Sequence, residues 1–189
     1  MNLFVVSDIH GHLTHFEEML THWNREDILV VLGDLIDRGP QSLQVIEKVI
    51  ELNQTYGDKV VFLKGNHEDM LLNYLNNPTE KQAQYYVNGG LETMQNFLAQ
   101  LPDSLANESF PVQAEAVKTH FKAQLEFIAT APTHQIIGNV LFTHAVFNSE
   151  FATLDDTTER EFIWIRKHFL QANKTPYVNV FGHTPLTYI

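Results

Sequence analysis

The 189-residue sequence contains no cysteine, and it has nearly twice as many acidic as basic side chains. The absence of cysteine excludes a disulfide scaffold, a thiolate zinc site and every enzyme class with a cysteine nucleophile. The formal net charge of −11 is the wrong sign for non-specific binding to nucleic acid or to an anionic membrane. No segment approaches the ~18 consecutive apolar residues of a membrane span, and no basic stretch precedes the short apolar run at the N-terminus. We therefore expect a cytoplasmic protein with neither a nucleic-acid nor a membrane partner.

What is present is typical of one globular domain. Hydrophobic residues make up 44% of the chain and charged residues 19%. A chain of this length buries roughly 70% of its unfolded surface, so it needs no disulfide or structural metal to hold a core. Histidine is the exception to this ordinary composition. There are ten histidines, and several of them stand beside aspartate, asparagine or glycine.

The first 75 residues alternate between buried-strand and amphipathic-helix patterns. We predict strands over 3–7, 27–32 and 59–63, and helices over 13–23, 41–53 and a third that ends at Leu75. The apolar face of the first helix is predicted to carry Leu13, Phe16, Met19, Leu20 and Trp23. Buried strands joined through helices imply a parallel sheet, and ligands bind at the carboxyl ends of such strands.

After residue 78 the pattern changes to a polar, helix-prone stretch. We predict that 78–131 is a helical cap inserted into a single α/β domain that spans 1–189. Strands are then predicted over 134–137 and 140–143, joined by a Gly138-Asn139 turn, followed by a helix over about 158–171 and a last strand over 177–181.

Five short polar clusters follow predicted strands. They are Asp8-Ile9-His10-Gly11, Gly33-Asp34-Leu35-Ile36-Asp37-Arg38-Gly39, Gly65-Asn66-His67-Glu68, Thr143-His144-Ala145 and Gly182-His183-Thr184. Any one of these residues alone reads as a turn residue or a buried histidine, but together they place carboxylate, amide and imidazole ligands at one sheet edge. Such a set suits divalent manganese, iron or zinc. The candidate ligands are Asp8, His10, Asp34, Asn66, His144 and His183, too many for one zinc ion and suited to two ions that share a carboxylate.

The remaining histidines lack this context. They are His12, His15, His22, His120, His134 and His168, and we assign none of them a ligand role.

These motifs resemble those of the calcineurin-like metallophosphoesterases. The Asp-Arg-Gly ending and the intact Gly-Asn-His-Glu are similar to the phosphoprotein phosphatase branch, in particular to bacterial and phage lambda-phosphatase-like serine/threonine phosphatases and the related symmetrical dinucleoside tetraphosphatases. Tyr86-Val87-Asn88-Gly89-Gly90 with Thr93, and Trp164-Ile165-Arg166, resemble two further segments of that bacterial group. The resemblance covers nearly the whole chain and implies a four-layer α/β/β/α sandwich.

The resemblance also implies two divalent metal ions, with manganese expected and iron or zinc as alternatives. It places Asp8 and His10 on one ion. It places Asn66, His144 and His183 on the other, with Asp34 as the bridge. It implies in-line attack on phosphorus by a hydroxide trapped between the ions.

Four further residues receive roles from the same resemblance. His67 is the expected acid that protonates the leaving oxygen, and Asp37 is its orienting partner. Arg38 and Arg166 are expected to bind the non-bridging phosphate oxygens, where a planar guanidinium fits better than an ammonium group. We predict that Arg166 reaches the site from the helix over 158–171, with Phe162, Ile165 and Phe169 facing the core.

The chain departs from the family pattern at two places. Ala145-Val146-Phe147 follows His144 where the family usually has a glycine, so we expect an atypical loop there. The sequence also stops six residues past His183, where relatives continue. We therefore expect that C-terminal strands of the second sheet are missing from this sequence.

Three functions are compatible with these residues. We expect a phosphomonoesterase that acts on phosphoserine or phosphothreonine in proteins, or on a small phosphoester. The first rival is a dinucleoside polyphosphate hydrolase, although 78–131 offers aromatic side chains for nucleotide stacking but only Lys81, Lys118 and Lys122 as cations. The second rival is an inactive metal-binding scaffold, which would need neither His67 nor the two arginines.

Overall fold

The computed structural model describes residues 2–148, 150–151, 153–166 and 172–185. In chain order its elements are β1 (Leu3–Val6), α1 (Leu13–Leu20), β2 (Ile28–Val31), α2 (Ser42–Tyr56), β3 (Val60–Phe62), α3 (Asn66–Asn76), α4 (Pro78–Tyr85), α5 (Leu91–Leu98), α6 (Phe110–His120), α7 (Lys122–Thr130), β4 (His134–Ile137), β5 (Val140–Thr143), α8 (Glu159–Trp164) and β6 (Val178–Val180).

The first sheet is parallel, as the alternating patterns predict. Its strands lie in the order β1-β2-β3, with Val5 paired to Val30 and Val30 paired to Val61. Successive side chains of a strand point to opposite faces. Leu29 and Val31 therefore pack among the helices while Val30 faces the other way. Both faces are covered, which is why these strands read as continuous apolar runs.

The second sheet lies against the first. β4 and β5 form an antiparallel hairpin, and β6 pairs in parallel with β5. Phe142 of β5 fills the space between the sheets with Val30 and Leu63. On the opposite face of β5, Leu141 packs against Phe162 of α8. The layers are therefore helices, sheet, sheet and helix, and the expected α/β/β/α fold class is confirmed.

The helices between Pro78 and Thr130 pack on the outer helix layer. α5 and α7 contact α2, and α6 and α7 contact α3. Met94, Phe97 and Ile128 are buried in the same apolar cluster as Val45 and Leu71. The division of the chain into one domain with an inserted cap stays a prediction.

Two helix predictions are wrong in part. α1 ends at Leu20, so Met19 lies at the margin of its apolar face and is 47% exposed, while Trp23 is buried from the following turn. α8 ends at Trp164 because Ile165 adopts extended backbone angles. Arg166 therefore follows the helix and does not lie on it. Phe169 and the rest of 167–171 are outside the described residues.

The atypical loop after His144 has a clear packing role. Ala145, Val146 and Phe147 are all buried. The backbone N–H of Ala145 donates to the carbonyl of Phe162 at 2.7 Å. The loop is therefore closed beneath α8.

Within the described ranges, no helix is both long and apolar enough to span a membrane.

Candidate functional site

The structure brings the predicted site residues together at one edge of the two sheets. All of them except Arg166 follow a strand, at the carboxyl end where parallel sheets bind ligands. Asp8 and His10 follow β1, and Asp34, Asp37 and Arg38 follow β2. Asn66 and His67 begin α3, directly after β3. His144 follows β5, and His183 follows β6.

Asp34, Asn66, His144 and His183 form the first group of candidate ligands. The Nδ1–H of His144 donates to the carbonyl of Leu32 at 2.7 Å, which turns its Nε2 toward the other members of the group. That Nε2 lies 3.3 Å from Asp34 Oδ2, 3.0 Å from Asn66 Oδ1 and 3.2 Å from His183 Nδ1. Carboxylate, amide and imidazole atoms that converge in this way can hold a cation.

His10, His67 and Asp34 form the second group. His10 Nε2 lies 3.7 Å and His67 Nε2 3.8 Å from Asp34 Oδ2. Arg38, which can only donate, reaches His10 Nε2 at 2.9 Å and His67 Nε2 at 3.2 Å. The Nε2 atoms of both imidazoles therefore face the same space. Asp34 Oδ2 is common to both groups and stands between them.

Asp8 joins the loop after β1 to the loop after β6. Its Oδ2 accepts from the hydroxyl of Ser7 at 2.5 Å and from the backbone N–H of His183 at 3.0 Å. Its Oδ1 is left facing His10 Nε2 at 3.9 Å. One oxygen thus positions the carboxylate, and the other remains available to a ligand.

Backbone strain is concentrated in this site. Among the described residues, the non-glycine positions with positive φ are Asp8, His10, Asp34, Asp37, Arg38 and His183. Such angles are uncommon for residues with a Cβ and persist only where the surroundings impose them. Every one of these residues was predicted from the sequence as a site residue. The strained backbone therefore belongs to residues whose side chains must be oriented within the site.

Asp37 and His67 form a buried pair. The Nδ1–H of His67 donates to Asp37 Oδ2 at 2.6 Å. Asp37 Oδ1 accepts from the hydroxyls of Tyr85 at 2.8 Å and Thr93 at 2.7 Å. Burial lowers the pKa of His67, but the hydrogen bond to Asp37 and the charges of Asp34 and Asp37 outweigh it and raise the pKa.

The Asn-Gly-Gly segment holds the backbone of Arg38. The N–H of Arg38 donates to the carbonyl of Gly89 at 3.0 Å. Gly89 has a φ of 99°, and a Cβ there would lie 2.7 Å from Cγ of Arg38. Only glycine permits both that angle and that approach, which explains the motif next to Tyr85 and Thr93.

Glu68 has a supporting role to which the sequence assigned no function, although it lies within the Gly-Asn-His-Glu motif. Its Oε2 accepts from the N–H groups of Asp34 at 2.9 Å and Gly65 at 2.8 Å, and its Oε1 from that of Leu35 at 2.8 Å. Burial and the charge of Asp34 raise its pKa to about 7, against the opposing effect of the three N–H donors. One buried carboxyl group therefore ties two site loops together.

We expect Glu68→Gln to lower the free energy of unfolding by about 1–3 kcal/mol. The amide NH₂ would face a backbone N–H in place of a carboxylate oxygen, which leaves a buried donor unsatisfied. Chemical denaturation measures the loss, with Glu17→Gln on the exposed side of α1 as the matched control. Equal denaturation midpoints for the two variants would contradict this role.

The electrostatics of the first group are strongly coupled. Burial raises the pKa of Asp34, but the neighbouring imidazoles outweigh it and hold that pKa well below its usual range. Burial lowers the pKa of His144, but the charge of Asp34 raises it overall to about 9. Burial and the charges of His144 and Arg166 lower the pKa of His183 to about 4. Asp34 is therefore an anion, stabilised by the neighbouring imidazoles of His144, His67 and His10.

Arg166 lies at the margin of this site. Its NH1 donates to the carbonyl of His183 at 2.9 Å. This contact places the guanidinium beside a candidate ligand. Arg166 lies directly after Ile165, whose extended backbone ends α8.

Two of the aromatic side chains of 78–131, Tyr85 and Phe97, offer no stacking surface to a nucleotide. Tyr85 is 1% exposed and Phe97 is fully buried. Their rings pack against Tyr74 and Phe121. These side chains belong to the core because tertiary packing, which composition does not reveal, places them there.

Comparison with known proteins agrees with this geometry. A 26% identical relative is the asymmetrical bis(5'-nucleosyl)-tetraphosphatase PrpE of Anoxybacillus flavithermus, matched over 96% of this chain and 78% of that protein. Serine/threonine-protein phosphatase 2 of Escherichia coli is 40% identical over 38% of this chain and 31% of that protein. A solved structure described as a candidate diadenosine tetraphosphatase has a TM-score of 0.62 at 20% identity, covering 96% of this chain and 74% of that one.

The fold and the site define a metallophosphoesterase, a hydrolase of phosphoester bonds. The family model for calcineurin-like phosphoesterases matches residues 1–189, and the chain belongs to that family.

The donor set agrees with the divalent metals that this family uses. Two groups of imidazole and carboxylate atoms share one carboxylate, and no thiolate is present. His183 Nε2 is buried and has no hydrogen-bond partner among the described residues. Oxygen and imidazole ligands of this kind suit borderline to hard divalent cations.

Proposed function

We propose that this chain hydrolyses phosphate monoesters at the shared Asp34 carboxylate. The observation that carries the proposal is the His67–Asp37 pair, joined at 2.6 Å, beside a carboxylate oxygen common to two ligand groups. A metal scaffold would need the ligand groups but not the buried acid pair.

In this proposal Asp8 and His10 hold one divalent ion. Asn66, His144 and His183 hold the other, and Asp34 bridges them. Manganese is the first candidate, with iron or zinc as alternatives. Such ions would supply Lewis-acid activation of water and of the phosphoryl group.

The other residues handle the substrate. His67 holds a proton at Nε2 for the leaving oxygen, because Asp37 fixes its Nδ1 and raises its pKa. Arg38 and Arg166 bind the non-bridging phosphate oxygens. Arg38 already donates into the space between His10 and His67, which is where a phosphate on this site would meet it.

Two substrate classes are proposed. Phosphoserine and phosphothreonine in proteins follow from the motifs and from the local likeness to the Escherichia coli serine/threonine phosphatase. Dinucleoside polyphosphates are the second candidate, favoured because the likeness to PrpE extends over nearly the whole chain.

A direct test is hydrolysis in the presence of manganese of a phosphothreonine peptide and a dinucleoside tetraphosphate, side by side with an aryl phosphate. We expect turnover that a chelator abolishes and added manganese restores. Bound metal without turnover of any of the three substrates would overturn the proposal in favour of an inactive scaffold.

We expect Arg166→Ala to lower kcat/KM by about ten- to a hundredfold. Each lost charge-assisted hydrogen bond to phosphate costs about 1.5–3 kcal/mol. Metal content should be unchanged, and inhibition by inorganic phosphate should weaken in parallel. The double variant with Arg38→Ala should be less than additive, since both side chains would bind one phosphate.

Lys174→Ala, at an exposed position, is the charge-matched control for Arg166→Ala. Kinetics and phosphate inhibition equal to those of this control would leave Arg166 with only its contact to the His183 carbonyl.

A further inference from the structure

The buried acid pair is held by two hydroxyls that come from outside the ligand-bearing loops. Asp37 Oδ1 accepts from Tyr85, at the end of α4, at 2.8 Å and from Thr93, in α5, at 2.7 Å. The other carboxylate oxygen, Oδ2, is the one that accepts from the Nδ1–H of His67 at 2.6 Å. Asp37 therefore joins the imidazole on one side to α4 and α5 on the other.

Thr93 contacts Asp37 through the backbone as well as through the side chain. The N–H of Asp37 donates to Thr93 Oγ1 at 2.9 Å and to Ser42 Oγ at 3.1 Å, and these two hydroxyls lie 2.8 Å apart. The φ of Asp37 is 71°, an angle that a residue with a Cβ keeps only where its surroundings impose it. Contacts at both ends of the residue therefore fix the direction of the carboxylate.

The environment of these hydrogen bonds is dry. Asp37, Ser42, Thr93 and Tyr85 are all buried. A hydrogen bond is stronger in such a low-dielectric interior, and water does not replace it when one partner is removed. The orientation of the Asp37 carboxylate consequently depends on these protein hydroxyls.

The ring of Tyr85 is positioned by packing, independently of its hydroxyl. It stacks on Tyr74 with 5.1 Å between the ring centroids. Gly90 lies against it so closely that a Cβ at this glycine would overlap the ring carbons. The second glycine of the Asn-Gly-Gly segment therefore makes room for Tyr85, and a phenylalanine at position 85 would keep the same packing.

We propose that Tyr85 and Thr93 are positioning residues for the general acid, because their hydroxyls orient Asp37 so that it holds His67 toward the leaving oxygen. Both act through Asp37, and neither contacts the substrate. This role depends on the proposed function, in which His67 protonates the leaving group. It gives α4 and α5 a part in the chemical step.

The kinetic test removes one hydroxyl at a time. Tyr85→Phe and Thr93→Val are compared with two controls, on an alkyl and an aryl phosphate with manganese present. Tyr86→Phe removes the neighbouring hydroxyl, which lies 3.2 Å from that of Tyr74. Thr157→Val removes a buried hydroxyl that has no hydrogen-bond partner among the described residues.

We expect Tyr85→Phe and Thr93→Val each to lower kcat for the alkyl phosphate by about tenfold, as the loss of a hydrogen bond to a charged group allows. The KM and the metal content should not change. The aryl phosphate should lose at most about twofold, because its leaving oxygen needs little protonation. Thr93→Ser, which keeps a hydroxyl, should recover most of the activity, and both controls should match the unmodified protein. Equal losses on the two substrates would overturn the role.

A double-mutant cycle tests whether Tyr85 acts through the acid. In the His67→Asn protein no acid remains to be positioned, so adding Tyr85→Phe should have no further effect on the alkyl phosphate. A further loss of about tenfold in that background would show that Tyr85 contributes without His67 and would contradict the proposal.

Nuclear magnetic resonance gives a readout that does not depend on turnover. In zinc-loaded, ¹⁵N-labelled protein, the Nδ1–H of His67 should give a strongly downfield proton signal, because its hydrogen bond to a carboxylate is short. The absence of this signal from His67→Asn assigns it. The signal should move upfield in Tyr85→Phe and be lost to solvent exchange in the double variant with Thr93→Val.

Tyr85→Phe carries this comparison by itself if the double variant does not fold, since the ring keeps its packing. A His67 signal that is the same in Tyr85→Phe as in Tyr86→Phe would overturn the positioning role.

These measurements separate the positioning role from the proposed function. If the unmodified protein hydrolyses the alkyl phosphate while Tyr85→Phe and Thr93→Val behave like their controls, only the positioning role is wrong. If the unmodified, metal-loaded protein hydrolyses no phosphoester, the proposed function is wrong and the positioning role is wrong with it, whatever the His67 signal shows.

Discussion

Asp34→Asn is expected to lose bound metal at both ligand groups and to reduce kcat/KM by ~10³-fold or more. Asp34 Oδ2 lies 3.3 Å from His144 Nε2 and 3.7 Å from His10 Nε2, so one substitution removes the negative charge from both groups. Metal ions contribute several kcal/mol of transition-state stabilisation, and each ~1.4 kcal/mol corresponds to a tenfold change in rate. Elemental analysis and steady-state kinetics measure the two effects.

The matched control for Asp34→Asn is Asp58→Asn, at an exposed position between α2 and β3. It makes the same chemical change far from the ligand groups. Asp34→Asn protein that is folded and carries as much metal as the control would show that this carboxylate is not the bridge.

His67→Asn is expected to retain metal and to lose about 10²–10⁴-fold in turnover of an alkyl phosphate, the range that general acid catalysis supplies. The loss should be much smaller for an aryl phosphate with a good leaving group, because its leaving oxygen needs little protonation. The physical basis is the 2.6 Å hydrogen bond to Asp37, which holds the ring and raises its pKa.

The dependence on leaving group distinguishes an acid from a merely structural histidine. Asp37→Asn should reproduce the same pattern to a lesser degree, since the ring would keep its place but lose its charged partner. His22→Asn, at an exposed position after α1, is the control. Equal losses on alkyl and aryl phosphates would show that His67 does not donate the proton.

The parallel sheet and the polar strand ends could be read from the sequence because both depend on local patterns. Apolar runs such as 28–31 form strands, and a polar residue directly after such a run lies at the sheet edge. The helix after Thr158 was only partly predictable. Its capping box is local, formed by Thr158 and Glu161, whereas the apolar spacing continues past the point where Ile165 turns to extended backbone and ends the helix.

Spacing along the chain also could not distinguish residues that touch ligands from residues that support them. Glu68 and Tyr85 are the clearest cases. Glu68 accepts from backbone groups of two loops, and Tyr85 donates to Asp37 from a helix 48 positions later. Both were present in recognisable segments, but the partner that gives each its role is remote in sequence.

The sequence by itself determined which residue types stand at the strand ends and, through the missing cysteine, that no candidate ligand is a thiolate. Tertiary structure alone decided which atoms meet. It directs Asp34 Oδ2 toward both ligand groups and buries Tyr85 and Phe97 in the core. The physical reason is that local propensity acts over a few residues, whereas these contacts depend on how sheets and helices pack across the whole chain.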